Sequence, residues 1–203
     1  MQAILLAVRT KYGDVTHIST ETLASWLNSQ DGPLNSGPPE NALSGMDEAI
    51  FESQGGGTDQ EPDDLVRPSN IILLDVREED EYKVSHLDKA RRVRDDLSSQ
   101  EAEELLKAIL KPFNEEEYKN PIKIVCYCSL GYRSSDLARK LKTQIDTMKT
   151  PIPVQIFNLE GSIFKWANED RKLVDSDGNE TIHVHPYNMV FGMTLKKCLH
   201  KYK

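Results

Sequence analysis

Apolar runs of strand length, each followed by a helical pattern, constrain this chain more than anything else in it. Residues 71–74 are all aliphatic, and Ile122–Tyr127 (IKIVCY) is nearly as apolar. A strand solvated on one face alternates apolar and polar residues, whereas one covered on both faces need not. Between these runs, Ala102, Leu105, Leu106 and Ile109 recur at the i, i+3, i+4, i+7 spacing of an amphipathic helix. Leu137, Ala138 and Leu141 repeat the pattern in a helix predicted over 134–142. The segments VTHI (15–18), ARRV and PVQIFNL read as further strands, and STETLASWLN, REEDEYKVSHL and GSIFKWANE as short helices. Alternation of this kind from Val15 to Asn168 predicts an α/β domain: a mainly parallel central sheet flanked by helices on both faces. In such sheets function collects at the carboxyl ends of strands, and Asp75 and Cys128 both stand there.

One stretch breaks the alternation. Residues 29–69 contain GPLNSGPPEN and SQGGGTDQEPDD, a composition with too little apolar surface to offset the entropy of ordering it. Nine acids and no Lys or Arg fall between positions 31 and 64; without them 25 basic face 24 acidic residues, a balance of +1. The acidity of the chain therefore belongs to this insertion. The rest carries no basic footprint of a nucleic-acid binder, and no run of 18 apolar residues predicts a membrane span. The opening MQAILLAVRTKYGDV has neither a basic leader nor a small-residue cleavage site, so it does not read as a secretory signal. Three cysteines are too few for a disulfide framework and point to a reducing, cytoplasmic setting. The domain is predicted over 1–170, interrupted at about 29–69, with residues 171–203 as an extension packed on it. In that extension KLVDSDGNETIHV suggests a hairpin. Phe191, Leu195, Cys198, Leu199 and Tyr202 suggest one face of a C-terminal amphipathic helix. His183, His185, Cys198 and His200 could be imagined around zinc, but alternating strand positions and a core-facing helix residue account for them, and no metal is predicted.

The segment CSLGYRSS, starting at Cys128, carries the chemistry. A cysteine at a strand's end is, taken alone, more often a small buried hydrophobe. Here Gly131 can adopt positive φ and a helix follows at once, so backbone N–H groups and the positive end of the helix can curl around the thiol. Such a cradle favours a nucleophilic sulfur and would also hold the oxygens of an anion, with Arg133 at its rim. Cys126 lies two residues earlier on the same side of the strand, back within the sheet, and reads as packed and inert. Asp75 and Arg77 are read as an ion pair shaping the crevice.

These residues resemble the rhodanese-like family of single-domain sulfurtransferases. The loop Cys128, Ser129, Leu130, Gly131, Tyr132, Arg133, Ser134 is similar to that family's active-site loop. LLDVREEDEYKVSHLDKA resembles its earlier motif, with Asp75, Arg77, Tyr82 and His86 on matching positions, and NLEGSIFKWANE resembles its closing segment. Two departures fall in turns: SHLDKA stands for the usual GHIPGA, and Glu160-Gly161 for a common Gly-Gly pair. The resemblance implies catalysis by Cys128 through a covalent persulfide, with residues 129–134 as the substrate-binding loop, Arg133 helping to bind an anionic donor, and no metal or organic cofactor. The donor would be thiosulfate or a persulfide carried by a small molecule or a protein, and the acceptor cyanide or a thiol. Two rivals are weighed against this. Phosphatases of similar fold use Cys-x5-Arg, whereas this chain has Cys-x4-Arg with Ser134 where the arginine would stand. A non-catalytic interaction module would use the acidic insertion or the C-terminal helix to meet a protein partner.

Overall fold

The computed structural model describes residues 1–30, 70–113 and 120–202; most of the acidic insertion lies outside the described residues. The elements run α1 (Gln2–Lys11), β1 (His17–Ile18), α2 (Thr20–Gln30), β2 (Ile71–Asp75), α3 (Glu79–Val84), β3 (Arg91–Arg92), α4 (Ser99–Leu110), β4 (Ile122–Tyr127), α5 (Tyr132–Thr147), β5 (Val154–Leu159), α6 (Ser162–Asn168), β6 (Leu173–Val174), β7 (Glu180–Thr181) and α7 (Met189–Gly192), with a 3-10 turn at Lys197–Leu199. Five parallel strands form one sheet in the order β1-β5-β4-β2-β3. The α/β architecture with a mainly parallel sheet is thus the one the sequence pattern predicts.

Period-two geometry divides the strand residues between two cores. Ile122, Ile124, Cys126 and Cys128 join Ile72, Leu74 and Val76 under α1, α4 and α5. Val125 and Tyr127 join Ile71 and Leu73 on the opposite face, with α2, α6 and the C-terminal extension. Coverage on both faces is why β2 and β4 carry continuous apolar runs. Helix α4 shows the local logic well. Ser98 accepts from the Glu101 amide while Glu101 accepts from the Ser98 amide, a capping box of about 1 kcal/mol. Its Ala102, Leu105, Leu106 and Ile109 are all buried, each aliphatic side chain larger than alanine stabilising by roughly 1.5–3 kcal/mol.

Two elements differ from the sequence reading. Helix α1 has no counterpart in the sequence pattern read above; Leu5, Val8 and Tyr12 recur at helical spacing and are buried, but the apolar patch is short. The extension does form a hairpin, β6 with β7. The single amphipathic helix expected after it is replaced by the four-residue α7 and one 3-10 turn. The cause is backbone pairing: Val184 N–H donates to the Leu199 carbonyl and Lys201 N–H to the Val184 carbonyl, at 2.7 and 3.1 Å. A helix through 199–201 would withdraw those groups. Leu195 and Leu199 are buried as core, whereas Cys198 and Tyr202 are exposed.

The SHLDKA turn can be followed residue by residue. Ser85 sits in extended backbone (φ −172°) that any residue adopts. Lys89 takes a left-handed conformation (φ 60°) at the position where the family pattern has glycine, a locally strained choice for a residue with a Cβ.

Candidate active site

The site forms where β4 leaves the sheet between β2 and β5. Cys128 is 2% exposed, and its Sγ accepts the Gly131 N–H at 3.0 Å. Gly131 makes this turn with φ 114°, and α5 begins immediately after it, two residues earlier than predicted, so Arg133 and Ser134 lie in the helix's first turn. A Cβ at Gly131 would stand 3.3 Å from Asn158 Nδ2 and 3.6 Å from a Val8 methyl, so backbone conformation and close approach both require glycine.

The loop is tied to α6 from behind. Cys128 N–H donates to Ser162 Oγ at 3.1 Å, which in turn donates to the Leu159 carbonyl. The Ile163 and Phe164 amides, in the first turn of α6, donate to the Cys128 and Ser129 carbonyls. Ser162 holds φ 49° to do this, the kind of strained backbone that survives only where its surroundings fix it.

In front of the loop, α3 supplies Glu81. Its Oε1 accepts from Ser129 Oγ (2.8 Å) and Arg133 Nη2 (3.0 Å), and its Oε2 from Arg133 Nη1 (2.8 Å) and the Glu78 amide (3.0 Å). Burial alone would push this carboxyl up. The Arg133 hydrogen bonds and charge, with a further contribution from Arg77, hold it below the ordinary carboxylate value. Arg133 also lies 4.7 Å under the Tyr187 ring, which arrives from the extension. An anion approaching Arg133 therefore competes with Glu81 for both guanidinium nitrogens.

Asp75 and Arg77 sit behind α3. Arg77 forks Asp75 through Nε and Nη2 (2.9 and 2.6 Å), and it donates to the Glu81 and Ser85 carbonyls at the end of α3. Both side chains are fully buried. Burial opposes the guanidinium's charge, and Asp75 more than offsets it, so Arg77 stays cationic. His86 stacks on Tyr82 with ring centroids 3.9 Å apart.

Of the predicted loop residues, the structure brings Cys128, Ser129, Gly131, Arg133 and Ser134 together through polar groups. Leu130 instead buries its side chain in the core beneath α2 and α6, and Tyr132 packs toward Tyr12. Cys126 is wholly buried, which pushes its thiol far up, with Cys128 adding to the shift. Sequence reasoning missed Glu81, Asn158, Ser162 and Tyr187. Glu81 is one of four consecutive acids, and the pattern alone does not say which of them turns inward. Asn158 interrupts the apolar β5, a buried polar residue in a central strand, and that was a readable signal.

The family model of the rhodanese-like domain matches residues 59–169. That is more than half of the chain, and the protein belongs to the rhodanese-like domain family. Among solved structures it is similar to Saccharomyces cerevisiae Ygr203w, a homolog of single-domain rhodanese and of the Cdc25 phosphatase catalytic domain (14% identity, 76% of this chain and 81% of that one, TM-score 0.47). It is also similar to a thiosulfate sulfurtransferase from Pseudomonas aeruginosa (13% identity, 87% of this chain and 23% of that one, TM-score 0.46). A third is the As-Sb reductase from Leishmania major (13% identity, 82% and 92%, TM-score 0.47). No curated protein matches the sequence. Among the described residues no helix is long and apolar enough to cross a membrane.

Proposed function

We propose that the protein is a sulfurtransferase that carries sulfane sulfur as a persulfide on Cys128. The observation that carries the reading is the Cys128 sulfur held against the Gly131 N–H inside a loop of only four residues before Arg133. That ring suits one added sulfur atom better than a phosphate with three oxygens. In the first half-reaction the Cys128 thiolate attacks the outer sulfur of the donor. The donor's S–S bond breaks, its inner sulfur leaves with the electron pair as a thiolate or sulfite, and Cys128 becomes a persulfide. In the second, an acceptor thiolate attacks the outer sulfur, takes it as its own persulfide and returns Cys128 to thiolate. The two half-reactions balance without an external oxidant or reductant.

The pairing of Arg133 with Glu81 bears on the donor. With both nitrogens of the fork engaged, the loop offers a dianion such as thiosulfate little uncompensated charge. A persulfide on a small thiol or on a protein is therefore the donor class favoured here. Intact-protein mass spectrometry after exposure to thiosulfate and to a small-molecule persulfide tests this. The expected result is gain of one sulfur, faster from the persulfide, and absent in Cys128→Ser. No gain from either donor overturns the sulfurtransferase reading. Hydrolysis of an aryl phosphate that disappears in Cys128→Ser would support a phosphatase instead.

A further inference from the structure

A line of polar groups leaves the Cys128 sulfur and runs sideways across the sheet. Ser134 Oγ lies 3.4 Å from Cys128 Sγ and 2.6 Å from Asn158 Oδ1. Asn158 Nδ2 lies 3.0 Å from His17 Nδ1, and His17 Nε2 lies 3.1 Å from the Tyr12 carbonyl. Ser134 and Asn158 are completely buried, and His17 is half-buried. The sheet register sets up the row: Asn158 of β5 pairs with His17 of β1 on one side and with Cys126 of β4 on the other, and Cys128 follows on the same face. Asn158 thus stands beside the sulfur's own strand and beside the histidine at once.

The donors and acceptors in this row permit two arrangements. A carbonyl only accepts, so the nitrogen facing Tyr12 carries a hydrogen in both. When His17 is neutral, Nδ1 is a bare acceptor and takes an N–H from Asn158. Asn158 then turns its oxygen to Ser134, and the serine's single hydrogen goes to that oxygen. Only a lone pair is left for Cys128, which suits a thiol. When His17 is an imidazolium, Nδ1 donates. Asn158 reverses its amide, accepts from His17 and donates to Ser134, and the serine hydrogen points at Cys128, which suits a thiolate. One proton at His17 therefore sets the direction of every hydrogen bond between His17 and Cys128.

We infer that His17 and Asn158 are positioning residues that couple the charge of His17 to the thiolate of Cys128 through Ser134. This rests on the reading of Cys128 as the nucleophile and extends it to a histidine that makes no direct contact with the sulfur. Imidazole is the side chain suited to such a role, because it changes charge near neutral pH. The charged groups that α1, α5, β5 and α2 bring to this side of the molecule are engaged elsewhere. Arg9 pairs with Glu160, the Tyr12 hydroxyl donates to Asp136, Arg139 pairs with Asp14, Lys11 lies over the Tyr12 ring, and Glu21 pairs with Lys165. The row itself contains no other ionisable group between His17 and Cys128.

Two measurements on the full chain test the coupling. The first is the rate of Cys128 alkylation by iodoacetamide at about neutral pH, followed by peptide mass spectrometry. Losing a charge-assisted hydrogen bond should slow it about tenfold in Ser134→Ala and in His17→Leu. Their combination should slow it no further, and Ser134→Thr should restore the rate. The second leaves Ser134, Asn158 and His17 unaltered. With ring-labelled histidine, the nitrogen shifts of His17 report whether Nδ1 carries a proton, and reciprocity requires that fraction to fall in Cys128→Ala at the same pH. Additive losses in the double variant, or a His17 signal indifferent to Cys128→Ala, overturn the coupling. Alkylation reads the thiolate whether or not sulfur is transferred. Coupling without sulfur loading would therefore leave this inference standing while the sulfurtransferase reading fell.

Discussion

Arg77 and Arg133 each close a guanidinium fork on a carboxylate, one behind α3 and one in front of it. Arg77 and Asp75 have no solvent-exposed side-chain surface, and the remaining guanidinium donors go to carbonyls at the end of the same helix. Arg133 keeps 18% of its side chain exposed, and its carboxylate is shared with Ser129 and the Glu78 amide. The same ion-pair chemistry therefore serves two purposes. The rear pair fixes where α3 lies, and through Glu81 the position of α3 fixes where the front pair can form. Arg77 frames the site, and Arg133 belongs to it.

The largest effect should come from breaking the rear pair. Asp75→Ala leaves a buried guanidinium without its counter-charge, which costs about 3–5 kcal/mol. In a thermal melt of a chain this long, that appears as a fall of about 10 °C or more. Asp75→Leu combined with Arg77→Met should recover only part of it, because the Glu81 and Ser85 carbonyls lose their donors too. Full recovery would mean that the rear fork does not anchor α3, and the contrast with Arg133 would collapse.

Glu81→Gln should cost less, about 2 kcal/mol of charge-assisted hydrogen bonding, or roughly 4–8 °C. Its signature is chemical: with Arg133 released, KM for thiosulfate should fall several-fold while KM for a persulfide donor changes little. The stability difference also depends on pH. Glu81 is held below its ordinary value of 4.5, so the folded state favours the carboxylate. The stabilisation is present above that ordinary value and is lost as pH falls through the lower folded-state value. Melts in acid should therefore show wild type and Glu81→Gln converging below about pH 4.5. A constant gap down to acid would assign the loss to packing.

The contrast between the two forks also marks what could be read without coordinates. Asp75 and Arg77 sit at the end of an apolar run, and a close pair at a strand exit is a local matter that spacing can suggest. The turn that holds Cys128 was equally legible, because strand, Cys128, Gly131 and helix follow one another along the chain. The polar residues arranged around the loop come from elsewhere: Glu81 from α3, Asn158 from β5, His17 from β1. Asn158 and His17 stand beside the strand that carries Cys128 because parallel strands β1, β5 and β4 are adjacent in space though not consecutive in sequence. Strand order is a tertiary fact that periodicity along one segment does not encode. The C-terminal helix failed for a related reason: its spacing was helical, but the pairing of residues 199–201 with Val184 outweighed that spacing.

The smallest expected effect concerns the outer side of the front fork. Tyr187 covers Arg133 with its ring face and is itself 42% exposed, so the cation–π contact contributes only about 0.5–1 kcal/mol. Tyr187→Ala should hardly move the melting temperature, since Glu81 still holds the guanidinium. Its effect should fall on donor binding, raising KM for a persulfide about 2–5-fold with kcat unchanged, as expected for a contact made equally in the ground and transition states. Tyr187→Phe keeps the ring face and should behave like wild type. If Phe instead behaves like Ala, the phenolic hydroxyl is what meets the donor, and the extension contributes a polar contact to the site. If neither variant changes KM, the extension packs against Arg133 without taking part in recognition, and the front fork is completed by α3 alone.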